Sequence, residues 1–260
     1  MPPAPATGPE IVTIPCLKDN YAYLVVSPDG QSAALVDAPE AAPIQAELTR
    51  RGLALGDILI THHHDDHIGA VAALRTPNTR VIGAAADAHR LPPLDLEVGD
   101  GDRFDLFGAE VRVMDVSGHT VGHVAYHLPA AGAVFTADSL MALGCGRLFE
   151  GTAEQMWTSL SRLAALPPET LVCSGHEYTA ANARFAVTIE PDNVALKARC
   201  ARIEADRKAG RATVPSVLGE EVQTNPFLRA GLPDVKESLS LGKAADADAF
   251  AEIRRRKDAF

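Results

Sequence analysis

Residues 61–67 read Thr-His-His-His-Asp-Asp-His and follow directly on the apolar run Asp57-Ile58-Leu59-Ile60. The six consecutive side chains from His62 to His67 can all hold a metal ion. So many polar groups at the end of a predicted strand are hard to explain as packing, because each one buried must find a partner. Along a strand the side chains alternate faces, so His62 and His64 point one way and His63 the other. A turn into a helix then brings Asp66 and His67 round at the helix start. The pattern H-x-H-x-D-H therefore offers two imidazoles to one ion, and a carboxylate with an imidazole to a second. It asks for a scaffold whose strands end in functional loops, as α/β-type folds do.

One short stretch does not complete two metal sites, and the remaining donors are expected downstream. Ser117-Gly118-His119-Thr120 follows the strand-like Val111–Met114, Asp138 follows Ala133-Val134-Phe135-Thr136-Ala137, and Ser174-Gly175-His176-Glu177 follows Thr170–Cys173. His62, His64, Asp66, His67, His119, Asp138 and His176 make seven candidate ligands. A zinc ion takes about four, so seven suits two ions that share a carboxylate, and Asp138 is the natural bridge. Two ions roughly 3.5–4 Å apart hold a hydroxide between them and polarise a carbonyl oxygen. The chemistry implied is hydrolysis of an ester-like bond, with Asp66 placed to orient the hydroxide. His63 faces away from the ions, Asp65 is read as a solvated helix-start residue, and His123 as a structural or outer residue of its loop. For Asp37, at another strand end, a turn and an outer acceptor for a ligand imidazole are equally good readings. His89 and His127 are read as ordinary surface or core histidines.

The segments THHHDDH, SGHTVGH, FTADSL and CSGHEYT resemble the successive motifs of the metallo-β-lactamase superfamily. Within it the chain is similar to the glyoxalase II (hydroxyacylglutathione hydrolase) family. That likeness rests on Leu17–Tyr21, Gly144–Thr152, Val214-Pro215-Ser216, Asn225–Arg229 and the tail Arg254–Asp258. The resemblance implies an α+β fold, a four-layer αββα sandwich with a smaller C-terminal helical domain. It puts His62, His64 and His119 on the first metal, Asp66, His67 and His176 on the second, and Asp138 between them, with Asp66 and Asp138 as catalytic residues. The cofactor implied is two divalent ions per chain, zinc foremost, although such donors accept iron and manganese too. The activity implied is hydrolysis of S-D-lactoylglutathione and related S-2-hydroxyacylglutathiones to glutathione and D-lactate, the second step of methylglyoxal detoxification.

The same resemblance assigns glutathione binding to Arg147, Phe149, Tyr178, Arg254 and Lys257. Animal and plant relatives carry Lys and Tyr where this chain has Arg147 and Phe149. Arg keeps the charge and adds a fork suited to a carboxylate. Phe149 lacks the hydroxyl. The alternative on the same scaffold is a glutathione persulfide dioxygenase with a single iron. Full donor sets for two metals and the basic tail speak against it.

Composition narrows the partners. A net charge of −10 argues against nucleic acid. Nothing approaches the ~18 consecutive apolar residues of a membrane span. The four cysteines, 16, 145, 173 and 200, are scattered and fit a reducing cytoplasm better than a disulfide framework. Met1–Ala6 lacks the basic and apolar regions of a signal peptide. Residues 1–10 read as a disordered leader, and the chain as a cytoplasmic monomer.

Strands are expected over Ile11–Ile14, Ala22–Val26, Ala33–Val36, Asp57–Ile60, Arg80–Gly83, Glu110–Val113, Val124–Leu128, Val134–Thr136 and Leu171–Cys173, the first three as a meander. Helices are expected from Pro43 to Arg51 and from Thr152, where Thr-x-x-Gln matches a capping box. Beyond Tyr178 the pattern turns helical, over Ala180–Ile189, Val194–Ala209 and Asp246–Lys257, with a loop from Gly210 to about Pro233. The expected division is a metal-binding domain over 11–178 and a helical substrate-binding domain over 179–260.

Overall fold

The computed structural model describes residues 8–260. They form two compact units, one of residues 8–115 and 122–135, the other of 116–121 and 136–260.

The first unit opens on the expected meander, β1 (Glu10–Cys16), β2 (Asn20–Val26) and β3 (Ser32–Val36), with Ile14 opposite Ala22 and Val25 opposite Ala34. Glu10 pairs with Val26, so residue 10, expected in the leader, belongs to β1. Residues 1–7 lie outside the described residues. The chain then alternates strand and helix through α1 (Ala41–Arg51), β4 (Ala54–Leu59), α2 (Asp65–Ile68), α3 (Val71–Leu74), β5 (Arg80–Ala84) and β6 (Leu96–Val98). Crossovers of this kind let β3 to β6 run parallel, and the sheet order is β1 to β6 in sequence. One apolar cluster joins Leu24, Leu35, Ile58 and Ile60 of the sheet to Ile44 and Leu48 of α1 and Val71 and Leu74 of α3. Each such side chain contributes roughly 1.5–3 kcal/mol by leaving water.

A second sheet follows, antiparallel through β7 (Arg103–Leu106), β8 (Ala109–Asp115), β9 (Val124–Leu128) and the start of β10 (Ala133–Ala137). It stacks on the first. The rings of Tyr23 and Phe135 meet edge to face at 5.7 Å, and the buried Tyr126 hydroxyl donates to Ile60 O at 2.8 Å. That last bond fixes the backbone just before the His-rich run.

In the second unit the end of β10, β13 (Leu171–Ser174) and β14 (Ser216–Val217) are neighbours in that order, and β11 (Leu140–Met141) forms a small hairpin with β12 (Gly144–Cys145). The helices are α4 (Ala153–Ala164), α5 (Thr179–Ile189), α6 (Val194–Lys208), α7 (Leu218–Thr224), α8 (Pro233–Ser238) and α9 (Asp246–Asp258). The capping box at α4 is formed: Gln155 N donates to Thr152 Oγ1 at 3.2 Å and Thr152 N to Gln155 Oε1 at 2.8 Å. The span expected as a loop from Gly210 to Pro233 instead contains β14 and α7, and α8 starts at its end. α7 escapes a periodicity search because its buried face includes Glu221 and Thr224 alongside Leu218. No described helix is long and apolar enough to cross a membrane.

Candidate metal centre

β4 delivers the His-rich run. After Leu59 the chain runs without regular structure to His64, the extended N-cap of α2, and Asp65 and Asp66 occupy the first helical turn, where carboxylates suit the helix dipole. His62 and His64 turn to the same side: Nε2 of the first lies 3.1 Å from Nδ1 of the second. Two nitrogens bound at about 2.0–2.1 Å to one tetrahedral ion would be ~3.3 Å apart, so this spacing fits a shared ion. His63 points elsewhere and bonds through Nδ1 to the buried Asp87 at 3.0 Å. The His67 Nε2 lies 3.9 Å from Asp66 Oδ2.

The tautomers are set by one buried carboxylate. Asp37 Oδ2 accepts from His67 Nδ1 and from Thr61 Oγ1, each at 2.8 Å, while Oδ1 accepts Thr61 N at 2.9 Å. The Thr61 hydroxyl, its hydrogen spent on Asp37, accepts from His62 Nδ1 at 3.0 Å. Both imidazoles therefore carry their proton on Nδ1 and a lone pair on Nε2, the form a metal ligand needs. Of the two readings of Asp37, the outer acceptor is the one its contacts describe. His123 stacks on His62 at 4.5 Å and holds that ring from its far face.

The second unit gathers the other three donors by itself. His119 Nε2 and His176 Nε2 approach Asp138 Oδ2 at 3.5 and 3.3 Å. One carboxylate oxygen thus faces two imidazoles from different loops. His119 Nδ1 donates to Arg147 O at 2.9 Å, which again leaves Nε2 as the lone-pair nitrogen. Glycine makes the approaches possible. A Cβ on Gly118 (φ +149°) would lie 2.6 Å from Met156 Cβ in α4, and one on Gly146 2.0 Å from Asp138 O. Asp138 follows Ala137, held at φ +41°, where a non-glycine residue stores on the order of 1–3 kcal/mol of strain. Each unit thus holds a His/Asp cluster whose donors, spacing and tautomers suit divalent metal ions.

Arg147, Phe149, Tyr178, Arg254 and Lys257 all belong to the second unit. Phe149 is 62% exposed with its ring 5.2 Å from that of His119, and Tyr178 stacks flat on His176 at 4.6 Å. Tyr178 is thus an exposed ring over a candidate ligand. Arg254 and Lys257 share a face of α9 at different depths. Arg254 is buried, donates to Cys145 O at 2.9 Å and pairs with Asp258 at 2.9 Å. Lys257 is half-buried between the rings of Phe185 and Phe260. Burial, then the charges of Arg254, Arg184 and Arg147, bring its ammonium down to about 8. Cys145 is buried, and burial pushes its thiol up to about 11. It is therefore a thiol at neutral pH, not a reactive thiolate.

Asn20 and Thr61 were not among the sequence candidates. Asn20 Nδ2 donates to Asp66 Oδ2 at 3.0 Å and to Asp66 O at 3.2 Å. Its signal was present, since Asn20 lies in the Leu17–Tyr21 segment, but an Asn between strands reads first as a turn.

Residues 18–176 match the metallo-beta-lactamase superfamily, and residues 177–260 match the hydroxyacylglutathione hydrolase C-terminus. Two stacked sheets with flanking helices and a metal-suited His/Asp run define a metallo-β-lactamase sandwich carrying a C-terminal helical region. The crystal structure of ETHE1 from Myxococcus xanthus is similar at a TM-score of 0.65 and 26% identity, over 95% of this chain and 90% of that one. The BLEG-1 B3 metallo-beta-lactamase shares the fold at a TM-score of 0.66 and 22% identity, over 84% of this chain and 99% of that one. Sequence similarity goes further. The hydroxyacylglutathione hydrolases of Ruegeria pomeroyi and Jannaschia sp. are 66% and 61% identical, over 96% and 97% of this chain and 99% of each of them. The chain belongs to the hydroxyacylglutathione hydrolase family.

Proposed function

We propose that this chain is a thioester hydrolase acting on S-2-hydroxyacylglutathiones, with S-D-lactoylglutathione as main substrate, and that it releases glutathione and D-lactate. Two divalent ions would be held by seven side chains: His62, His64 and His119 for the first, Asp66, His67 and His176 for the second, and Asp138 for both. Zinc is the expected metal, and a structure similar to this chain was solved in a di-iron-bound form. When bound, the ions supply an activated water near neutral pH and polarise the thioester carbonyl. The chain's own part is orientation. Asp66, held by Asn20, accepts a hydrogen bond from the attacking water, and Asp37 keeps His62 and His67 in the ligating tautomer. The leaving thiolate has a pKa of about 8.5 and departs without a general acid.

The observation that carries the substrate reading is the cationic surface formed by Arg147, Arg184 and Lys257, whose mutual repulsion is felt at Lys257. Against these three cations stands one acidic neighbour, Asp258, so the surface favours an anionic ligand. Glutathione brings two carboxylates, and the rings of Phe149 and Tyr178 flank the peptide between them. Arg254 works from beneath, fixing Asp258, which lies 4.0 Å from Arg147 Nε. The helical region from 179 onward serves as the substrate-binding domain in this reading. The chain works as a cytoplasmic monomer, in keeping with its four free cysteines.

Purified protein tested for loss of thioester absorbance with S-D-lactoylglutathione, with metal content measured on the same sample, decides the matter. Rapid turnover with two metals per chain is the expected result. No turnover with a single iron bound would move the reading to a glutathione persulfide dioxygenase.

A further inference from the structure

The β11–β12 hairpin starts two residues after Asp138 and ends two before Arg147. Its backbone polar groups are satisfied by buried side chains from helices far along the chain. Asn225 Nδ2 donates to Met141 O at 3.1 Å and to Gly144 O at 3.0 Å. Asn182 Nδ2 donates to Ala142 O at 3.0 Å, and Leu143 N donates to Glu221 Oε2 at 2.9 Å. Glu221 also accepts from Asn225 Nδ2 at 3.2 Å and pairs with Arg199, which in turn donates to Thr224 Oγ1 at 2.8 Å. Glu221 and Asn225 are fully buried and Arg199 nearly so. Leu143 at the hairpin turn sits at φ +54°, a conformation that persists only where its surroundings fix it.

What the hairpin delivers explains why so much polarity is buried there. Directly after it, Gly146 N returns to Ser139 O at 3.2 Å, Arg147 O accepts His119 Nδ1 at 2.9 Å, and Phe149 N donates to His119 O at 3.2 Å. The hairpin register therefore sets the tautomer and aim of His119 and the placement of Arg147 and Phe149. We infer that Asn225 and Glu221 are positioning residues that lock this register, so that one buried network aligns a metal-ligating imidazole and the substrate-binding side chains together. Partial loss of such a network leaves buried groups unpaired, which is why its members act as a unit. This rests on the proposed thioester hydrolase reading.

The test uses full-length, metal-loaded Asn225→Ala and Asn182→Ala proteins, with far-UV circular dichroism to establish folding. Metal retention is titrated against a chelator, and kcat and KM are measured with S-D-lactoylglutathione. For Asn225→Ala one of the two metals is expected to be held about 10-fold more weakly, in line with loss of an outer hydrogen bond to a ligand, and KM to rise while the helical signal is kept. Asn182→Ala, which removes one bond to the hairpin instead of two, should show a smaller shift of the same kind. If Asn225→Ala does not fold, Asn182→Ala carries the decision. Unchanged metal retention and KM in a folded variant, with only a lower melting temperature, would overturn the inference. If wild-type protein fails to turn over the thioester, the substrate reading falls, while the chelator titration still decides whether the network positions His119.

Discussion

At the residue scale the candidate centre depends on groups that touch no metal. Asp37 is the clearest. It sits at φ +57°, where Asn is as well tolerated as Asp, so Asp37→Asn changes the charge and not the backbone. The variant takes the charged acceptor from His67 Nδ1–H and Thr61. Metal affinity is expected to fall by about 10–100-fold in a chelator competition, with the fold kept; unchanged affinity would rule out the outer-acceptor role. Lys257 gives a second test. Its ammonium, brought down to about 8, is charged below that pH and neutral above it. KM for a glutathione thioester should therefore rise as pH passes through 8. Lys257→Met should have a high KM throughout and lack that inflection; a wild-type KM flat from pH 7 to 9 would remove Lys257 from substrate binding. The histidines and carboxylates were legible because their spacing has one economical explanation. Asn20, Thr61 and Asn225 were not, because single Asn and Thr residues between elements carry the same signal as ordinary turns.

At the element scale, legibility followed apolar content. Nine expected strands correspond to β1–β5, β8–β10 and β13, since each carries an apolar run or clean alternation. β7 was missed although Arg103-Phe104-Asp105-Leu106 alternates, because four residues with two charges make no run. β11, β12 and β14 are two residues each; the β11–β12 hairpin is held by side-chain bonds from distant helices, and β14 by pairing with β13. The capping box of α4 was legible because both its bonds are local in sequence. α4 matters to the site through its packing: Ser159 Oγ donates to Ser117 O at 2.8 Å, and Met156 lies against Gly118. Two substitutions separate stability from placement. Thr152→Ala should lower unfolding free energy by about 1 kcal/mol, seen in urea titration, with kcat/KM close to wild type. Gly118→Ala puts a Cβ onto α4 backbone and side chain, and overpacking of that kind costs about 1–3 kcal/mol. Because His119 is the next residue, its kcat/KM should fall far more than its stability implies. Equal ratios of activity to stability in the two variants would show that the loop is not positioned by α4.

At the scale of the whole molecule, the change to a helical pattern near Tyr178 was visible in the sequence. The assignment of residues 116–121 to the second unit was not, since that follows from packing across distant segments. Its consequence is that four of the proposed ligands, His62, His64, Asp66 and His67, belong to the first unit and three, His119, Asp138 and His176, to the second. An ion held by either set is linked to the folding of the residues that hold it. An ion that binds only the folded form stabilises by RT ln(1 + [L]/Kd), about 2.7 kcal/mol at a hundredfold excess over Kd. Unfolding would forfeit that term, so metal-replete protein should melt at a temperature that climbs with free metal. Chelation should lower that temperature, because the fold then keeps only the stability of its packed cores. Differential scanning calorimetry with and without chelator reads both effects. Identical curves in the two conditions would mean that these donors hold no ion in the folded protein, and the seven-ligand reading would have to be abandoned.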